Sequence, residues 1–86
     1  MFPKWEGLEL VPAKAAYHEM LHLGLDLWDA LEVLAFGYEC QRSARKEGTR
    51  EMCVKKGKKT LKVVAVKDYN LTKRQDVWLI VHVGEI

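Results

Sequence analysis

Apolar positions recur at two different periods along the chain, and the change of period falls near residue 37. Residues 5–11, Trp-Glu-Gly-Leu-Glu-Leu-Val, partly alternate, so residues 1–12 read as an arm or a short strand. Pro12 suits the first turn of a helix, where its missing N–H has no partner to lose. Ala13, Ala16 with Tyr17, and Met20 with Leu21 then recur at helical spacing and predict a helix over 13–23, closed by Gly24 as a left-handed cap. Asp26 is the expected N-cap of a second helix over 27–36, and Asp29 adds negative charge to its first turn. That helix turns Leu27, Ala30, Leu31, Leu34 and Ala35 inward and stops at Gly37.

Beyond Gly37 the period shortens to two, and strands are predicted over 38–44, 49–55, 61–67 and 77–83. Arg45-Lys46-Glu47-Gly48 and Lys56-Gly57-Lys58-Lys59 supply turns, and 68–76 forms a longer loop. A three-residue first loop sets Cys40 opposite Val54 and Arg42 opposite Met52. The second sets Val54 opposite Leu61 and Met52 opposite Val63. One face then collects Tyr38, Cys40, Met52, Val54, Leu61, Val63 and Ala65 as a core, while Cys53 points the other way, leaving two free thiols. The last strand is apolar on both faces, so it is central or covered twice. With Val64 and Val66 it predicts an apolar non-helical face around Trp78 and Ile80, shared by His82 and suited to a homodimer. The expected fold is α+β in a single domain, 1–86. Two N-terminal helices (13–36) pack on one face of a four-stranded antiparallel meander sheet (38–83), and the 1–12 arm is a candidate added strand.

Composition adds bounds rather than a function. Eighty-six residues hold one core, and 49% hydrophobic with 30% charged residues is the balance of a folded chain, not a disordered one. The longest apolar run, Val77 to Val81, is far short of a membrane span of roughly 20 residues, so no membrane partner is expected. The opening Met1-Phe2-Pro3-Lys4-Trp5-Glu6 has no apolar signal region, which predicts a cytoplasmic protein with reduced cysteines and no cofactor. Charge changes the picture more. Residues 1–41 carry two Lys against seven acids, net −5, whereas 42–62 carry nine Lys or Arg against Glu47 and Glu51, net +7. Arg42, Arg45, Lys46, Arg50, Lys55, Lys56, Lys58, Lys59 and Lys62 could therefore neutralise phosphates in salt-sensitive, sequence-blind binding to RNA. The other reading of the same lysines is a solvated surface that protects strand edges. No aromatic residue interrupts 42–62, so a base-stacking platform is not built there.

Two histidine patterns carry candidate chemistry. His18-Glu19-Met20-Leu21-His22 fits HExxH on a predicted helix, where imidazoles four residues apart project to one side and could hold zinc. No later His follows at the spacing of the extended motif, so the segment reads as the polar flank of an amphipathic helix, with metal binding by His18 and His22 as the alternative. His82 in its apolar strand reads as an interfacial histidine held by one hydrogen bond, or as a catalytic group if its face is an open cleft.

Residues 17–34 resemble the opening signature of the domain-of-unknown-function family numbered 4258. His18 stands at the signature His, Gly24-Leu25-Asp26 at the Gly-Ile-Ser/Thr cap, and a helix follows; Glu19, His22 and Leu23 depart from it. Lys62-Val63-Val64-Ala65-Val66 and Val77-Trp78-Leu79-Ile80-Val81 resemble that family's closing strands. The family is similar to the BrnT and RelE-like toxins, small ribonucleases that cut messenger RNA and are held by an antitoxin. The resemblance implies a compact fold with a curved antiparallel sheet, an RNA substrate and a protein partner. It also implies a catalytic set chosen by residue type: His82 or His18 as base, Arg42 or Arg45 as the cation, and Tyr69 or a lysine as acid.

Overall fold

The computed structural model describes residues 2–40 and 47–86. The helices fall where the pattern puts them. Helix α1 is Lys14–Leu23, ended by Gly24 at φ 72°, and α2 is Leu27–Phe36. The Asp26 carboxylate accepts from Asp29 N (3.0 Å) while Asp29 Oδ2 accepts from Asp26 N (2.9 Å), a reciprocal box that satisfies two donors at the start of α2. Ala16 and Met20 of α1 and Ala30, Val33 and Leu34 of α2 are buried, whereas Ala35, expected inward, is exposed.

The sheet is not a four-stranded antiparallel meander. It is six-stranded, mixed and curled, in the order β1-β2-β6-β5-β4-β3, with β1 at Lys4–Trp5, β2 at Leu8–Pro12, β3 at Tyr38–Glu39, β4 at Thr49–Lys56, β5 at Lys59–Asn70 and β6 at Gln75–Glu85. The N-terminal arm supplies two of these strands. Glu6 (φ 51°) and Gly7 (φ 83°) form a two-residue turn that folds β1 against β2, and β2 then pairs with β6 in parallel, Glu9–Val77 through Pro12–Ile80. Pro12 therefore ends a strand rather than opening the helix. At the other end, 68–76 is not a long loop: β5 and β6 continue to Asn70 and Gln75, closed by a tight turn in which Asn70 Oδ1 accepts from Lys73 N (2.8 Å).

Registers divide between the two central hairpins. Between β4 and β5 the expected pairing holds, with Val54 opposite Leu61 and Met52 opposite Val63. Between β3 and β4 it does not: Tyr38 lies opposite Cys53 and Glu39 opposite Met52. The end of α2 is packed tightly enough on β4 to hold this register. A Cβ on Gly37 would strike the backbone oxygens of both Val33 and Cys53, so the end of α2 is seated directly against β4 at Cys53. Cys40 and Cys53 consequently meet, with Cα atoms 5.3 Å apart, and form a disulfide in place of the two expected free thiols.

The two faces of β6 are also exchanged relative to expectation. Trp78 and Ile80 are buried in the core beneath the helices, with Leu10, Val63, Ala65, Met20 and Leu34, so they cannot form an outer dimer face. A bulge separates His82 from them: Val64 pairs with His82 but Ala65 with Ile80, leaving Val81 extra and reversing the alternation, so that Val83 points inward. Tyr38, expected in the core, is exposed. Trp5 closes one end of the core against Trp78 (ring centroids 5.0 Å apart), with the Arg50 guanidinium 4.7 Å above its ring. No described helix is long and apolar enough to cross a membrane.

Two measurements check this arrangement. Ile80→Ala is expected to lower unfolding free energy by about 2–5 kcal/mol in urea denaturation, the cost of a core cavity, whereas an exposed position would lose about 0.5 kcal/mol or less. The Cys40–Cys53 bond closes a loop with a sequence separation of 13, so reduction is expected to lower stability by about 3 kcal/mol. Before reduction the unfolded protein should not react with a thiol reagent; two reactive thiols per chain would refute the bond.

Candidate functional site

The site begins where β2 stops. Ala13 N donates to Ile80 O (2.8 Å), the chain then turns into α1, and from Val81 onward β6 has no strand on that side. An open strand edge carries unpaired N–H groups. Glu19 of α1 answers one of them: its Oε1 accepts from Val83 N (3.0 Å) and its Oε2 lies 2.9 Å from His82 Nδ1. A carboxylate in this position accepts, so Nδ1 is the donor, and Nε2 has no hydrogen-bond partner among the described residues. The imidazole lies over Gly84, where a Cβ would come within 2.9 Å of Nε2 and 3.2 Å of Cε1. A side chain at 84 would require the half-exposed ring to shift. The bulge, the missing strand neighbour, Glu19 and Gly84 together hold one half-exposed histidine in one orientation.

His82 does not stand alone. A shallow depression of about 370 Å³ is lined by His18, Glu19, His22, Leu23, His82, Val83, Gly84 and Glu85. A smaller hollow of about 130 Å³, lined by Leu23, Leu25, Lys56, Lys59, Leu61 and Glu85, shares Leu23 and Glu85 with it. The two hollows share a wall at Leu23 and Glu85, and Lys59 of the Lys-rich β4–β5 turn lies five residues from Val64 on β5, roughly 17 Å along the strand from the His82 register at about 3.3 Å per residue. Lys59 Nζ approaches Glu85 Oε1 at 3.6 Å across an exposed gap, a contact worth little in water, and no ion pair among the described residues engages Lys55, Lys56 or Lys58.

The other candidates disperse. Tyr69 pairs with Asp76 near the far end of β5, five residues from Val64 and so roughly 17 Å from the His82 register at about 3.3 Å per residue. Arg50 is engaged by Glu6 (3.3 Å) and stacked on Trp5, away from the turn. Lys62 pairs with Glu51 (2.9 Å) and, with Lys55, borders an outer-face hollow beside the disulfide. Arg42, Arg45 and Lys46 lie outside the described residues. As for metal, Glu19 is turned to β6 rather than shared with His18 and His22. Among the described residues no group of three or more His, Cys, Asp or Glu side chains converges as an ion would require.

Glu19 and Gly84 are the residues that sequence reasoning missed in their actual roles. Glu19 drew notice only as the central residue of HExxH, and nothing local to it points to a histidine 63 positions away. A glycine following His82 by two residues in a strand is the one signal that could have suggested a ring lying across the backbone. No family model matches the chain, and neither a curated protein nor a solved structure shows significant similarity to it.

The geometry makes Glu19 matter to the fold as well as to the cleft. Glu19→Ala is expected to cost about 1–3 kcal/mol in chemical denaturation, because it leaves Val83 N and the imidazole without their acceptor. Glu32→Ala on an exposed turn of α2 should change stability by about 0.5 kcal/mol or less. Equal effects of the two substitutions would show that the Glu19 contacts do not form in solution.

Proposed function

We propose that the protein binds RNA along the cleft between α1 and β6 and the adjoining β4–β5 turn, and cleaves it there by metal-independent transfer to the 2′-oxygen. The activity agrees in kind with what the resemblance to BrnT and RelE-like toxins implies. The observation that carries it is the Glu19–His82 hydrogen bond in a depression that His18 and His22 also line, beside a second hollow lined by Lys56 and Lys59.

In this reading His82 Nε2 takes the proton of a ribose 2′-OH. The oxygen attacks the adjacent phosphorus, and the bond to the 5′-oxygen breaks. An imidazolium on α1, His18 or His22, gives its proton to that leaving oxygen, so one proton is taken up and one is released. The products are a 2′,3′-cyclic phosphate and a 5′-hydroxyl. Glu19 fixes the His82 tautomer and offsets the imidazolium charge that forms, as an orienting carboxylate does beside other catalytic histidines. Lys56 and Lys59, roughly 17 Å along β5 from the His82 register at about 3.3 Å per residue, would hold a neighbouring phosphate of the same RNA strand. Both oxygens of Glu19 are already engaged, so the HExxH segment has no free carboxylate to activate a metal-bound water.

The test is incubation of end-labelled RNA with pure protein at low salt with EDTA present. Defined fragments ending in cyclic phosphate are expected, with His82→Ala lowering the rate by roughly a hundredfold or more and DNA of the same sequence left intact. Lys56→Glu with Lys59→Glu should weaken RNA binding and flatten its dependence on salt. Intact RNA with no change in mobility would remove the reading altogether. Binding without cleavage would reduce it to an RNA-binding module.

A further inference from the structure

A second concave surface lies on the other side of α1 from the histidine cleft. A groove of about 390 Å³ runs between the N-terminal arm at Phe2 and Pro3 and the junction of the two helices. Its walls are apolar apart from Asp26 and the Tyr17 hydroxyl, with Met20 and Leu27 among the residues lining it. Tyr17, Leu21 and Trp28 border it at 50%, 58% and 57% exposure. Tyr17 and Leu21 are one turn apart on α1, beside the Ala16–Met20 stripe that the core uses, so the apolar surface of this helix is wider than its own fold requires.

Charge around the groove says what would fit it. Glu6 and Glu9 are matched by Arg50 and Lys73, and Glu19 is hydrogen-bonded to His82 and to Val83 N. Asp26 and Asp29 accept from each other's backbone N–H groups, no ion pair among the described residues engages them, and Glu32 lies one turn beyond Trp28 on α2. On the opposite rim, Lys14 precedes Tyr17 by a turn, and Lys73 covers the Phe2 ring at 4.2 Å while paired with Glu9. The α2 side is therefore an apolar wall with an acidic margin.

We propose that this groove docks a cationic amphipathic segment of another protein, whose bulky apolar side chains enter between Phe2, Leu21 and Trp28 while its Lys or Arg side chains face Asp26, Asp29 and Glu32. Helix-in-groove recognition places anchors at such a spacing. A second copy of this chain fits poorly. A symmetric pair would set the same acids against each other, and the Lys56-Gly57-Lys58-Lys59 turn offers no apolar anchor.

The experiment uses the ¹⁵N-labelled full chain titrated with a helical Leu/Lys peptide and with a Leu/Glu peptide of the same length and hydrophobicity. The Leu/Lys peptide should saturate, shifting amides around Phe2, Leu21 and Trp28, and bind roughly tenfold or more tighter than the Leu/Glu peptide. Leu21→Asp should abolish the shifts. Both Leu21 and Trp28 are exposed, so Trp28→Ser serves as the second reading if Leu21→Asp alters the fold. Glu32→Lys should weaken binding while leaving the melting temperature unchanged. Equal affinity for both peptides, shifts confined to other surfaces, or no shift at all would overturn the proposal. So would a peptide-free dimer that Leu21→Asp dissociates, which would assign the groove to a second copy.

Discussion

Four residue pairs, Glu9–Val77 through Pro12–Ile80, join the two ends of the chain side by side and in parallel. A parallel pair cannot be closed by a tight turn; the chain between must cross over the sheet. Here the crossover begins with the two helices, which lie on one face, and ends with the antiparallel run of β3 to β6. Leu10 and Ile80, both fully buried, belong to the two strands and meet the helices from below. The pairing also has a defined end. Pro12 has no N–H to extend it and the helix starts two residues later, so the edge of β6 beyond Ile80 is exposed to α1 instead of to a strand. The contact of Glu19 with Val83 and His82 follows from that vacancy.

Local features were legible and long-range ones were not. The ends of both helices, the Gly24 cap and the Asp26 N-cap depend on neighbours within four residues, and the β4–β5 register depends on a turn and an alternating pattern that agree. The β3–β4 register is held by the end of α2, where the Gly37 backbone packs on Cys53; a turn-based count missed both the register and the disulfide. The N-terminal hairpin carried its signal in Glu6-Gly7, but nothing near Leu10 states that its partner is Trp78. The bulge at Val81 is likewise silent in sequence. It reverses the alternation in the last strand, which is why Trp78 and Ile80 fell on the wrong face when a single period was carried through to His82.

The basic segment, read as one patch, is divided by the fold. Strand alternation sends Arg50 to the helical side, where Glu6 and Trp5 occupy it, and Lys62 to the outer face, where Glu51 does. Among the described residues, what remains near the histidine cleft is the turn itself, Lys56 with Lys59, in the adjoining hollow. A run of charge in sequence thus overstates the charge that any one ligand can meet, because successive side chains of a strand point to opposite faces. The functional reading rests on the histidine cleft and on the two lysines of the adjoining hollow rather than on a net of +7.

Gly84 bears on whether the histidine arrangement is incidental. A glycine within a strand weakens it by roughly 0.5–1 kcal/mol relative to alanine, and it leaves a position on β6 with no side chain to pack. If Glu19 served only to satisfy Val83 N, residue 82 could be any polar group and residue 84 any strand former. The ring instead occupies the space a Cβ at 84 would need, with Nδ1 tied to the helix and Nε2 without a hydrogen-bond partner among the described residues. The strand gives up a side chain at one position, and the imidazole two residues earlier gains a fixed orientation. That exchange disfavours the fold slightly and lays the imidazole across Gly84 with Nδ1 tied to Glu19, the arrangement on which the proposed role of His82 rests.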